Sequence, residues 1–229
     1  MSMIPPQPPI YLFGLRIDEP VTSLTALLIS AVCLFAFIKL GKLRQPGNRT
    51  LQYLRYYFLV MAIATANGGI IGHAFLGYLS FGWKLIGWIS SMFSIMLIER
   101  ASIEYASRLI PQKFSKWLRW INIVELAVFI SITMVTLNFF FVEVHTFYGL
   151  LIVVASLHFY VYRKVKSQGS RLFLNAVGFA AISALIFMNR IGLSAWFNHN
   201  DISHILLTIA AWYFYKGSRK IGEEQTVNI

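Results

Sequence analysis

Apolar runs of nearly bilayer-spanning length recur along almost the whole chain, and basic residues punctuate them. A helix needs roughly 20 mostly apolar residues to cross the hydrocarbon core, and lipid tolerates only helices and closed barrels because every backbone polar group must be satisfied internally. Hydrophobic residues make up 57% of the 229 and charged residues 13%, with a mean hydropathy of +0.64. These values lie outside the range of a soluble domain. The chain therefore reads as an all-α, polytopic membrane protein of one domain.

Seven helices are expected, at about 20 to 40, 54 to 78, 84 to 105, 117 to 138, 142 to 162, 171 to 189 and 200 to 216. The first connection and its flanks carry Lys39, Lys42, Arg44, Arg49 and Arg55. The third carries Arg100, Arg108, Lys113, Lys116 and Arg119, the fifth Arg163, Lys164, Lys166 and Arg171, and the tail Lys216, Arg219 and Lys220. With 17 of the 20 basic residues on one side and only Arg16, Lys84 and Arg190 on the other, the positive-inside rule puts the N-terminus outside and the C-terminus in the cytoplasm. The expected organisation is an extracytoplasmic segment 1–19, a seven-helix bundle 20–217 and a cytoplasmic tail 218–229.

The opening "MSMIPPQPPIYLFGL" lacks a basic n-region and a small-residue cleavage site, so the first span is expected to insert and stay. Cys33, the single cysteine, sits in an apolar run and reads as a buried small hydrophobe. A net charge of +11 could suggest nucleic acid, but its placement between apolar runs fits membrane topology instead, and no nucleic-acid partner is expected. Tyr56, Tyr57, Trp117, Trp120, Trp212, Tyr213 and Tyr215 fall near span ends, as interfacial anchors do. The sequon at Asn48 lies in a loop assigned to the cytoplasm and is discounted, and no internal repeat supports an inverted-repeat transporter.

Ionisable groups in hydrocarbon are costly, so each is a functional candidate. Helix 2 runs outward and brings Asn67 and His73 of "ANGGIIGH" to its outer half; helix 7 runs inward and starts with His199, Asp201, Ser203 and His204 of "WFNHNDISHILL". Asp201 and His204, at i and i+3, share a helix face. Zinc needs a tetrahedral set of nitrogen and oxygen donors, and His73, Asp201 and His204 are the candidate ligands, with Asn67 or Ser203 orienting water or an oxyanion. Competing structural roles are a helix cap for Asp201 and an interhelical hydrogen bond for His73, where Gly68, Gly69 and Gly72 permit close packing. Glu143 and His145 start helix 5 on the same side, where they could line a wet surface, and Asn189 and Arg190 precede helix 7. His158 reads as interfacial. Glu99 and Glu125, on the inner side, are expected to pair with Lys39, Arg55 and Arg100 or to snorkel.

The seven-helix layout, His73 and "HNDISH" together resemble the alkaline ceramidase and adiponectin-receptor superfamily of membrane hydrolases. The resemblance implies a zinc ion held by one histidine of helix 2 and two of helix 7, with a serine on helix 2 and an aspartate on helix 3 near its water. In that group the helix 7 histidines lie four apart; here Asn200 stands four before His204, and a ligand swap to Asp201 would preserve a three-ligand zinc site. Gly69 occupies the serine position, and helix 3 presents Lys84 and Ser90 instead of an outer aspartate. "RIDEPVTSLTALL" loosely resembles the acidic opening of alkaline ceramidases, which would make Asp18 and Glu19 a calcium-binding pair; an acidic interfacial flank is the other reading of these two residues.

Three functions are compatible with this pattern. The first is a zinc-dependent intramembrane hydrolase of a lipid amide or ester. The others are a seven-helix receptor or sensor for an external ligand and a small-solute transporter. A retinal pigment is excluded, because helix 7 carries no mid-span lysine: Lys216 sits at its cytoplasmic end.

Overall fold

The computed structural model describes residues 7–43 and 45–227, so Arg44 and the outermost terminal residues fall outside it. Residues Ile10–Leu12 (β1) and Leu15–Ile17 (β2) form an antiparallel hairpin with Tyr11 opposite Arg16. Phe13 and Gly14 both have positive φ, 51° and 79°, as the turn of a two-residue hairpin requires. Among the described residues seven long helices follow: α1 Pro20–Gly41, α2 Arg49–Ala74, α3 Phe81–Ala106, α4 Gln112–Thr136, α5 Phe140–Val165, α6 Gln168–Met188 and α7 His199–Val227. Six of them, α1 to α6, are long and apolar enough to cross a membrane, as in a multi-pass membrane protein.

Successive helices pack side by side, and α7 closes the ring against both α6 and α1. The main core runs through it, from Ile29 and Cys33 on α1 through Phe58 on α2 and Ile98 on α3 to Phe173 on α6 and Phe214 on α7. Cys33 is fully buried, as expected of a small hydrophobe. Much of the remaining apolar surface points outward, including Leu24, Leu28, Val135, Leu185 and Met188. Lipid facing such a surface costs nothing that water would.

Two helices contain a π-helical turn, Gly68–Ala74 at the end of α2 and Tyr148–Val154 within α5. Each wider turn falls beside a polar cluster, the usual setting for such insertions. Of the three glycines on α2, only Gly69 serves close packing. A Cβ there would lie 3.0 Å from the Ser23 carbonyl oxygen, whereas Gly68 and Gly72 face open space.

The helix boundaries shift by up to five residues from the sequence reading, and one difference is larger. α7 continues through the expected tail to Val227, with Ser218, Ile221 and Gln225 buried. Its last turns are fastened across the bundle: Gln45 Nε2 donates to the Gly222 carbonyl at 3.1 Å, and Asn48 Nδ2 to Gln225 Oε1 at 2.9 Å. Asn48 is thus a tertiary anchor. Its Oδ1 also caps α2 by accepting from Leu51 N at 3.1 Å.

Candidate functional site

The hairpin, the start of α1, the π turn of α2 and the start of α7 meet at one end of the bundle. Asp18 fastens the hairpin there. Its backbone N–H donates to the Ala74 carbonyl at 3.0 Å, and its carboxylate takes Gly77 N at 2.8 Å and Arg16 Nε at 2.7 Å. With those donors satisfied, Asp18 acts as a clasp. Glu19 faces the bundle instead, and its Oε2 lies 2.6 Å from His73 Nδ1.

Across from His73 stands His204, its ring centroid 5.8 Å away and nearly perpendicular, at 75°. His204 Nδ1 lies 3.0 Å from Thr25 Oγ1, whose own proton can go to the Thr22 carbonyl, 3.0 Å away. One assignment satisfies every group. His73 Nδ1–H donates to the Glu19 carboxylate and His204 Nδ1–H to the Thr25 hydroxyl, leaving the Nε2 lone pair of each imidazole without a hydrogen bond among the described residues. Metal-binding histidines show this arrangement, their second nitrogen being held by a carboxylate or another acceptor that fixes the tautomer.

Asp201 is fully buried behind this pair, and donors occupy its oxygens. Oδ1 accepts from Thr22 Oγ1 at 2.9 Å; Oδ2 accepts from Asn198 N at 2.7 Å and from Gln7 Nε2 at 3.4 Å. The Asn198 contact is the return half of a capping box, in which the third helical residue reaches back to the N–H of the cap. Gln7 ties the same carboxylate to α1, since its Oε1 accepts from Val21 N at 2.8 Å. Asp201 therefore joins α1 to α7, and its Oδ1 lies 3.5 Å from the Thr25 hydroxyl that meets His204.

Ser203 and Asn67 lie apart from the imidazoles in their contacts. Ser203 Oγ donates to the Ser183 carbonyl at 3.1 Å and Ser183 Oγ returns a bond to the Ser203 carbonyl at 2.9 Å, a reciprocal tie between α6 and α7. Asn67 presses its side-chain oxygen against α3, where a Cβ on Gly87 would lie 2.6 Å from it. His199 packs its ring on Phe187, centroids 5.5 Å apart.

A second polar cluster lies between α3, α4 and α5. Glu99, Glu125 and His145 each bring one potential ligand atom within 4.8 Å of the others, and among the described residues this is the only group of three histidine, cysteine or acidic side chains to do so. His73, Asp201 and His204 form no such group. The basic partners expected for the two glutamates are elsewhere. Arg100 Nε donates to Asn122 Oδ1 at 3.0 Å and Nη2 to the Arg119 carbonyl at 2.9 Å, Arg55 lies over the Phe37 ring, and Lys39 over Phe35. His145, expected at a wet outer surface, is fully buried. His158 is buried too, with its nitrogens 3.2 Å from Ser102 Oγ and 3.0 Å from Ser170 Oγ and its ring stacked on Phe173.

Sequence reasoning missed Thr22 and Thr25 as partners of the site and treated Glu19 as a flank or calcium ligand. The threonines' spacing of three in "PVTSLTALL" puts both hydroxyls on one helical face, the one available signal.

Fold and site define a helical membrane protein with a carboxylate-backed histidine pair at one end of its bundle. The chain belongs to DUF6962, a family of unknown function, which it matches over residues 21–223. No curated protein and no solved structure gives a significant match.

Proposed function

We propose that the protein is a metal-dependent intramembrane hydrolase of a lipid amide or ester, with His73 and His204 as the protein ligands of one zinc ion. The observation that carries this reading is the pairing itself: two imidazoles from separate helices, 5.8 Å between centroids, each with its Nδ1 in a hydrogen bond. The donor chemistry fits zinc in this imidazole half. Asp201 would join as a third ligand only by releasing Thr22 or Gln7. Zinc, when bound, lowers the pKa of water toward 7 and polarises a carbonyl.

The protein's own residues prepare the site. The Glu19 carboxylate holds the ring orientation of His73, and the Thr25 hydroxyl does the same for His204. Both imidazoles belong to helix segments packed against α1, which limits their motion. In this reading α7, 29 residues and about 43 Å long, is the seventh span. The hairpin end faces outward, following the basic residues at the opposite end. The hairpin presents exposed Tyr11, Phe13 and Leu15 beside the half-buried pair, a surface suited to an acyl chain at the interface.

The test is metal analysis of detergent-purified protein beside His73→Ala and His204→Ala, with turnover of a panel of fluorescent lipid amides and esters. Zinc lost from each variant, together with turnover, supports the reading. Folded wild type that takes up no zinc at this pair and cleaves none of the panel sinks it.

A further inference from the structure

Five buried polar atoms without hydrogen-bond partners belong to one cluster between α3, α4 and α5. They are Glu99 Oε1, both carboxylate oxygens of Glu125, and both ring nitrogens of His145. Glu99 is 1% and His145 0% exposed. Each such atom gives up its hydration without a hydrogen bond in return, a cost that is larger when the group is charged. Three helices supplying these groups to one point therefore calls for a ligand. We propose that Glu99, Glu125 and His145 bind one divalent first-row transition-metal ion of the Mn2+, Fe2+ or Zn2+ type, at a site separate from the His73 and His204 pair.

Two carboxylates in a low-dielectric interior repel each other, and among the described residues no lysine or arginine pairs with either. A dication balances both. Two carboxylates and one imidazole form an oxygen-rich, borderline donor set that suits these ions.

The surrounding structure orients the donors. Asn122 Nδ2 donates to Glu99 Oε2 at 2.9 Å, and Arg100 Nε fixes the Asn122 amide from behind at 3.0 Å, so Glu99 presents its other oxygen to the cluster. Ligating carboxylates are commonly held by such outer hydrogen bonds. The His145 ring meets Phe129 edge-on, with centroids 5.6 Å apart, and its Nε2 lies 3.3 Å from Glu125 Oε1.

Backbone geometry makes the room. Gly149 lies in the π turn of α5, and a Cβ there would collide with Glu99 Oε1 and with Ile95. The wide turn and the missing side chain together let the α5 backbone close over the Glu99 carboxylate. A helix interior otherwise favours alanine over glycine, but an alanine Cβ has no room here.

The experiment uses the full chain carrying His73→Ala and His204→Ala, so that ions at the proposed hydrolytic pair do not contribute. After loading with Mn2+ and dialysis in detergent, it should retain stoichiometric Mn2+, with the nitrogen modulation of one imidazole in pulsed EPR. Adding Asn122→Ala should weaken Mn2+ binding by about 10- to 100-fold, and Glu125→Gln by at least as much. The EPR signature needs no change at the cluster and so does not depend on either variant folding. Failure to retain Mn2+ or Zn2+, or retention without nitrogen modulation and indifferent to Glu125→Gln, would overturn the proposal in favour of shared protons. Either result leaves the hydrolytic reading of His73 and His204 to its own test.

Discussion

The carboxylate of Glu19 holds the imidazole of His73 across 54 positions of sequence, with Oε2 and Nδ1 2.6 Å apart. This contact joins the last residue before α1 to the π turn that ends α2. It fixes the orientation of the His73 ring.

Glu19→Gln should therefore weaken zinc binding at the histidine pair by about 10- to 100-fold while leaving the bundle intact. Both side chains are partly exposed, so little desolvated structure is lost. Zinc titration beside thermal unfolding in detergent separates the two effects, and an equal loss in both would point to a merely structural ion pair.

For Asp201 the balance reverses. Asp201→Ala strands the Thr22 hydroxyl, the Asn198 N–H and the Gln7 amide, and should cost about 3 kcal/mol or more. Asp201→Asn, which keeps one acceptor, should cost about half of that. Thermal melts of metal-free protein measure both, and unchanged melting with lost zinc would instead make Asp201 a ligand.

Gly69→Leu should destabilise the α1 and α2 crossing by about 1 to 3 kcal/mol through overpacking against the Ser23 carbonyl and Leu27. Gly72→Ala, facing open space, should be neutral or stabilising by up to about 1 kcal/mol. The pair is read by denaturation in mixed micelles, where equal effects would place the crossing elsewhere.

Removal of the last helical turns should damage the fold. Glu224 accepts from Tyr105 OH and Ser167 Oγ, both at 2.7 Å, and from Gln168 N at 2.9 Å, so it closes the start of α6. Glu224→Ala should lower stability by about 2 to 3 kcal/mol. Melting curves check this, and a shift no larger than that of the exposed Glu223→Ala would refute it.

Hydropathy made the helices legible because a lipid-facing helix must be apolar over a fixed length whatever its neighbours are. It misjudged α7, whose ends are polar: "HNDISH" opens it and "KGSRKIGEEQT" closes it. Those residues remain helical because partners on α1, the α1 to α2 connection and α6 satisfy them.

The sequence by itself determined a helical, membrane-spanning chain and put His73 and His204 at one end of it, since apolar length and basic punctuation are local properties. Only the tertiary structure decided what each polar group does. Thr22 and Thr25 look like ordinary span residues, yet their hydroxyls meet Asp201 and His204 once α1 lies against α7. Glu99, Glu125 and His145 lie on three helices whose rotation and stagger no hydropathy profile encodes, and packing brings them to one point. A helix's composition fixes that it crosses; its neighbours' shapes fix which face turns inward.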